Sequence, residues 1–356
     1  MAMARSRPSD THRVPTAKVV PPSLPSLRIE RPLLVNRLQD ALGRRLTTVV
    51  AGPGYGKSSA LAAWAAEANA AWYSVTAEDR DVARLALGLT EALRLRVPGI
   101  PADLLAAPLG MAGPDAESHP GARAAAAVSI LSQALHERLG RDVAIILDDL
   151  HELPASSPAM NLVGDLVRQA PGFLHLVIAS RDEPPLRVER LRGHGQVLEL
   201  TAADIAFEAA EVAALLGLAI GPSYESIADA VFELTGGWPA AVRMAIEALR
   251  REPVEAHVAT LERLRRPGGS IFGYLAEEVI GREPPPVRRL ITAVAPLRGF
   301  TPELCAALGV EDAHELLPSL DRRGLFLEPD RTRAGWYALT PLVRDYALEA
   351  RTAADG

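Results

Sequence analysis

The chain has 356 residues, 48% of them hydrophobic and 23% charged, with a formal net charge of −6. That is too long for one ordinary domain and apolar enough for two or three buried cores. The acidic balance argues against a dedicated nucleic-acid binder, which carries a basic footprint. The single cysteine, Cys305, rules out an internal disulfide and a thiolate metal cluster. The sequence has neither a signal-peptide core nor an apolar run long enough to span a bilayer, so a cytoplasmic protein without membrane contact is expected.

Residues 1–30 hold Pro8, Pro15, Pro21, Pro22 and Pro25 and little apolar periodicity, which predicts a flexible lead-in. Its basic residues, among them Lys18 and Arg28, read as a solvated tail. From Arg31 onward helical patterns alternate with short apolar runs. Leu46–Ala51, Trp72–Val75, Val143–Leu147, Leu174–Ala179 and Val197–Leu200 are strand candidates, apolar on both faces. Such runs separated by helices indicate a parallel sheet covered on both sides. The stretch 97–121, dense in proline and glycine, predicts a long surface loop.

After Asp204 the strand signals stop. Helices are predicted over Glu208–Leu218, Tyr224–Leu234 and Pro239–Arg250, with Gly236 and Gly237 breaking the last two. Pro267-Gly268-Gly269 marks a boundary. Helices then follow at Ile271–Ile280, Pro286–Val294, Pro302–Leu308 and Ala313–Arg323. Leu325–Leu327 and Trp336–Leu339 flank a polar turn, and helices followed by such a hairpin suggest a winged helix. The expected fold is therefore α/β plus all-α. It comprises a lead-in (1–30), a P-loop NTPase parallel sheet with helices on both faces (31–203), a helical domain (204–268), a winged-helix domain (269–350) and a tail (351–356).

The segment Ala51-Gly52-Pro53-Gly54-Tyr55-Gly56-Lys57-Ser58-Ser59 follows a strand and opens a helix, the context a phosphate-binding loop requires. Glycines at 52, 54 and 56 let the backbone bend so that successive N–H groups converge on phosphate oxygens, and the helix start adds partial positive charge. Lys57 is assigned to the β- and γ-phosphates and Ser58 to magnesium. Ser59 completes the first turn, and Tyr55 is read as packing or nucleotide contact. Ala51 stands where the strict motif has glycine, a change tolerated if it keeps negative φ. A chance glycine-rich turn is the competing explanation, and the strand–loop–helix context weighs against it.

Val143-Ala144-Ile145-Ile146-Leu147-Asp148-Asp149 is an apolar strand ending in two acids. Asp148 is assigned to magnesium, directly or through water, and Asp149 to polarising an attacking water. The next strand ends in Ser180-Arg181, where an arginine either reads the γ-phosphate or is an ordinary surface residue. His151, His175 and His194 lack metal-ligand spacing, and Cys305 reads as a small buried hydrophobe. Asp321-Arg322-Arg323 with Arg331 and Arg333 is the best basic set for a DNA-reading winged helix, but it lies among Glu311, Asp312, Glu315, Glu328 and Asp330.

Several longer pieces carry a resemblance: RPLLVNRLQDALGRRLTTVVAGPGYGKSSALAAW, ILDDLHEL, ASRDEPPLRVERLRGHGQVLELTAADIAF, LTGGWPAA and FGYLAEEVIGREPPPVRRLI. The sequence resembles the STAND class of signal-transduction ATPases, in the branch of the maltose regulator MalT and the large LuxR-type transcriptional activators, over roughly residues 30–350. The resemblance implies three domains closed around ADP with magnesium, opened by inducer and ATP, and then self-associating or engaging a partner protein, with slow ATP hydrolysis as reset. It assigns Arg181 to the arginine after the fourth strand and Pro239 to the proline packing on the nucleotide. It also places Arg31-Pro32-Leu33 along the adenine pocket. Thr340 stands where relatives often carry a phosphate-touching histidine. Because the chain stops at Gly356, the family's sensor and helix-turn-helix domains are expected to be missing. The alternative function is a nucleotide-binding interaction module with little or no hydrolysis, and direct DNA binding by this chain is not expected.

Overall fold

The computed structural model describes residues 14–102, 104–105, 120–138, 142–221, 227–266, 269–324, 326–330 and 332–355. Five strands, β1 (Leu46–Val50), β2 (Ala71–Ser74), β3 (Val143–Asp148), β4 (Leu174–Ser180) and β5 (Val197–Thr201), form one parallel sheet in the order β2-β3-β4-β1-β5. All residues of β1, β3 and β4 are buried, which is why apolar residues occupy both faces of each strand, with Thr47, Thr48 and His175 among the buried polar exceptions. One strand therefore separates β1 from the acid-tipped β3.

Alternate residues of the strands feed two distinct cores, as the two-residue side-chain period demands. Ile145, Leu147, Leu176 and Ile178 pack with helices α3 (Val82–Arg94), α4 (Pro120–His136) and α5 (Pro158–Gln169). Asp81 caps α3 by accepting from the N–H groups of Ala83 and Arg84, and Ser157 caps α5. On the opposite face Val49, Ala144, Ile146 and Val177 pack with α1 (Pro32–Gln39) and α2 (Lys57–Ala68). This second core does not stop at the sheet. It runs on through Leu215, Trp238 and Leu249 to Phe300, Phe326 and Leu342.

Those residues lie on the C-terminal elements. Helices α6 (Ala209–Ile220), α7 (Ala228–Thr235), α8 (Pro239–Leu249) and α9 (His257–Arg265) come first. Helix α10 (Ser270–Tyr274) then continues as a π-helical stretch, Leu275–Ile280. Next are α11 (Pro285–Val294), α12 (Pro302–Ala307) and α13 (Ala313–Arg323), an antiparallel hairpin of β6 (Leu327–Pro329) and β7 (Tyr337–Leu339), and α14 (Pro341–Asp355). The expected helix-then-hairpin order of a winged helix is thus present. Helices α4 and α9 are additions to the elements legible in sequence. Among the described residues no helix is long and apolar enough to cross a membrane.

The lead-in differs from the flexible segment expected. Residues 1–13 lie outside the described part, but Thr16–Val19 is helical, Val19 is buried, and the Lys18 ammonium bonds the carboxylate of Asp79, itself 1% exposed. An ion pair to a buried acid outweighs the low helical propensity of so short a segment. Most of the stretch expected to be a surface loop, residues 103 and 106–119, also lies outside the described residues.

Helix α7 ends where Gly236 and Gly237 turn left-handed at φ 57° and 73°. A Cβ on Gly237 would sit 2.1 Å from the carbonyl oxygen of Phe207. Gly237→Ala is expected to lower unfolding free energy by about 2–4 kcal/mol, from positive φ and overpacking together. Urea denaturation of the variant beside the unmodified chain measures it, and equal midpoints would contradict the assignment.

Candidate functional site

The sheet order reverses direction at β1, and the crevice outside the C-terminal ends of its strands is where open α/β sheets place ligands. The loop from Ala51 to Gly56 lies there. Gly54 and Gly56 adopt φ 77° and 78°, a left-handed geometry that turns the chain sharply into α2. Among the described residues the only positive-φ non-glycines are Asn69 and Asp149, so Ala51 keeps the ordinary hand and its methyl is accommodated. No described side chain caps the start of α2, which leaves its first-turn N–H groups facing the crevice entrance, with Ser58 and Ser59 in that turn.

Lys57 is buried, and its ammonium donates to the carbonyl oxygens of Ala51 at 2.8 Å and Gly52 at 3.1 Å. Burial pulls its pKa down to about 8. Asp149 and Asp148 oppose that fall, while Arg181 and Arg323 add to it. The Ser58 hydroxyl donates to Asp148 Oδ1 at 3.0 Å. Burial, reinforced by neighbouring Asp149, raises the Asp148 carboxyl to about 6 against the Ser58 hydrogen bond and Lys57. A hydroxyl and a carboxylate oxygen meeting beside an uncapped helix start form a hard-oxygen donor pair suited to magnesium. The residues present therefore fit a magnesium–nucleotide complex.

Asp149 occupies the left-handed region at φ 59°, a conformation uncommon for a non-glycine residue and found disproportionately at functional sites. Two residues on, the His151 ring is 12% exposed, lies 3.9 Å from Asp149 Oδ1, and has no hydrogen-bond partner for either nitrogen among the described residues. Burial pushes its pKa down to about 4, helped by Arg181, Lys57 and Arg323, so it is neutral at physiological pH. Sequence spacing gave His151 no role because the side to which a turn points a residue is not a periodic property. His175 instead bonds the carbonyl of Arg44 in the sheet, away from the loop. Arg181 is half-buried at the end of β4, and its charge acts on Lys57, His151 and Tyr274 alike.

The loop's own backbone is bonded from the C-terminal half of the chain. Gly52 donates its N–H to the carbonyl of Arg323 at 3.0 Å, and Ala240 donates to the carbonyl of Gly54 at 3.0 Å. The Trp238 indole donates to the carbonyl of Pro53 at 3.1 Å, and the Tyr55 hydroxyl to that of Gly324 at 2.8 Å. Tyr55 is thus buried, with its side chain tying the loop to the C-terminal half of the chain. Pro239 opens α8 between Trp238 and Ala240, where a missing N–H costs nothing. Packing here is tight, since a Cβ on Gly54 would lie 2.7 Å from that of Ala240.

Arg323 is itself buried and gripped by both carboxylate oxygens of Glu283, with Asp182 3.4 Å from its Nε. Arg322 pairs with Glu183 at 3.0 Å. Of the Asp321-Arg322-Arg323 run weighed for DNA reading, Arg323 is therefore spent inside the molecule and Arg322 on a surface ion pair. Arg333 pairs with Asp330 and lies over the Trp336 ring, while Arg331 falls outside the described residues. Arg31 bonds Glu211 and the carbonyls of Ile205 and Ala206, tying the entry of α1 to the start of the helical region. Thr340 lies at the end of β7 with its N–H donating to the carbonyl of Phe326 at 3.0 Å.

Comparison with known proteins agrees with this arrangement. A family model described as the MalT winged helix domain matches residues 276–355. The HTH-type transcriptional regulator MalT of Yersinia pestis is 27% identical over 322 residues, covering 89% of this chain and 34% of the relative. The serine/threonine-protein kinase PknK of Mycobacterium tuberculosis is 28% identical over 333 residues, covering 91% of this chain and 29% of the relative. The chain thus spans about a third of the length of these curated relatives. A Walker-type ATPase of Pyrococcus abyssi shares the fold at TM-score 0.51 and 16% identity, covering 91% of this chain and 98% of its own. By sheet, phosphate-loop geometry and C-terminal helices together, this chain has a P-loop ATPase fold, resembles MalT over most of its length, and matches the MalT winged helix over residues 276–355.

Proposed function

We propose that the chain is an ATP/ADP-controlled switch of a transcriptional regulator, reset by slow ATP hydrolysis. The observation that carries this reading is the set of four hydrogen bonds across the phosphate loop, two donated to it by Trp238 and Ala240 and two accepted from it by the carbonyls of Arg323 and Gly324. A nucleotide gripped by that loop and two docked C-terminal regions share one backbone, so a change in one must bias the other. The regulatory role rests on the likeness to MalT. That PknK, named as a kinase, shares the same region supports a switch function for the module, not a DNA-reading one.

In this reading Gly52, Gly54, Tyr55, Gly56, Lys57, Ser58 and Ser59 hold the phosphates, with Arg181 and Pro239 completing the nucleotide contacts. Ser58 and Asp148 hold magnesium, which when bound draws negative charge from the phosphate oxygens. Lys57 exchanges its bonds to the Ala51 and Gly52 carbonyls for phosphate oxygens, and Asp149 orients water by accepting its proton. Release of the C-terminal helices would bare the apolar core they share with the sheet, and a newly bared apolar face favours self-association or a partner protein. A second reading, nucleotide binding with little turnover, is favoured by the bonds that keep Lys57 and Ser58 engaged within the protein.

Denaturing the purified chain and chromatographing the released small molecules tests the site. ADP is expected from the unmodified chain and none from Lys57→Ala, whereas an empty chain that also takes up no magnesium–ATP would refute the reading. Asp149→Asn is expected to bind ATP normally while turnover falls about a hundredfold. Unchanged turnover would remove Asp149 from the chemistry, and negligible turnover in the unmodified chain would favour the second reading.

The Asp148 carboxyl titrates higher folded than unfolded, so the native state binds more protons between about pH 4 and pH 6. Its burial therefore costs nothing below that window and its full amount above it. For Lys57 the depressed value means the cost is full below about pH 8 and relieved as pH rises further. In nucleotide-free, magnesium-free protein, Asp148→Asn is expected to raise unfolding free energy at pH 7 by up to about 2–3 kcal/mol. The gain should vanish near pH 4, and urea titrations at the two pH values measure it. A gain equal at both would mean burial of the charge is not its source.

A further inference from the structure

On the far side of the winged-helix region an open groove of about 570 Å³ runs between α11, the turn after α12, and the end of α14. Arg288 and Arg289 reach it from α11, a helix with no carboxylate, and Arg351 from α14. Among the described residues none of the three guanidinium groups has an acid or hydrogen-bond partner. Other arginines of the same half do find one: Arg265 pairs with Asp345, Arg282 with Glu278, Arg322 with Glu183 and Arg323 with Glu283. The one carboxylate on α12, Glu303, lies 3.8 Å from His314. In a chain of net charge −6, three cations without an acid partner gather around one groove, with the acids Glu311 and Asp312 just past its Val310 wall.

The groove is not simply basic. Leu308 lines it at 49% exposure and Leu304, one helical turn earlier, is 41% exposed, while Val310 forms a buried part of the wall. A phosphate backbone would use the arginines and leave the leucines unmet. Apolar side chains flanked by carboxylates use both, because anchors at three- and four-residue spacing match a helix laid into a groove.

We propose that this groove docks an acidic amphipathic helix of a partner protein, its leucine-type side chains meeting Leu304, Leu308 and Val310 and its carboxylates meeting Arg288, Arg289 and Arg351. The site is separate from the phosphate loop and independent of whether the chain hydrolyses ATP.

Fluorescence anisotropy with the full chain tests it. The probe is a fluorescein-labelled peptide of about eighteen residues, five helical turns, built of glutamate with leucine at three- and four-residue spacing. Saturable binding is expected, weakened about tenfold by Arg288→Glu with Arg289→Glu and comparably by Leu308→Ser. These residues are exposed, so thermal melts should be unchanged. A peptide of the same composition with its leucines scattered around the helix should bind about tenfold more weakly. Absence of binding by the amphipathic peptide overturns the proposal, as does equal binding by the arginine variant. Equal binding by the scattered peptide, or tighter binding of a twenty-base-pair DNA duplex, would show a simple polyanion surface and overturn it too.

Discussion

The phosphate loop is the one element on which the rest of this structure leans. A glycine-rich turn exposes more backbone polar groups than it can pair internally, and burying them unpaired is costly. Here the C-terminal half meets that need: Arg323 offers a carbonyl to Gly52, and Ala240 and Trp238 offer donors to Gly54 and Pro53. These bonds join segments nearly two hundred residues apart and more, and they put the loop's conformation under the joint control of α8 and α13.

The apolar architecture points the same way. One face of the sheet buries itself with α3, α4 and α5 and is self-sufficient. The other face shares a single continuous core with the helical and winged elements, from Val49 through Trp238 to Phe326. Undocking those elements would break the four hydrogen bonds at the phosphate loop and bare apolar area together, which would make such a change closer to all-or-none than gradual. Gly54 and Gly324 set the close approach: a methyl at Gly324 would lie 2.2 Å from the Cβ of Ala202.

Three charged side chains near the phosphate loop are buried. Lys57, Asp148 and Arg323 are all below 9% exposure, and Arg323 is held by Glu283 from outside the sheet. Burial works against the charged forms of Lys57 and Asp148. The displaced values for Lys57, Asp148 and His151 mark groups whose charged forms burial disfavours.

Local pattern carried much of this. The strands announced themselves because residues buried on both faces must be apolar, and helix α13 coincides with Ala313–Arg323 as read from spacing alone. The phosphate loop was legible because its chemistry is local: glycines, a lysine and a hydroxyl within one turn after a strand. What sequence could not convey is whatever depends on distant partners. Lys18 looked like a tail residue until the fold brought Asp79 to it, and nothing in the spacing of His151 told that its ring would be buried within the field of Arg181, Lys57 and Arg323. Arg322 and Arg323 read as a possible DNA-facing pair, yet Asp182 and Glu283 hold Arg323 inside the fold and Glu183 pairs with Arg322 at the surface. The sequence determined the elements and the loop because periodicity and turn chemistry are properties of neighbours along the chain. Only the tertiary structure decided which charges meet, because that is set by the crossing of elements that no local pattern encodes.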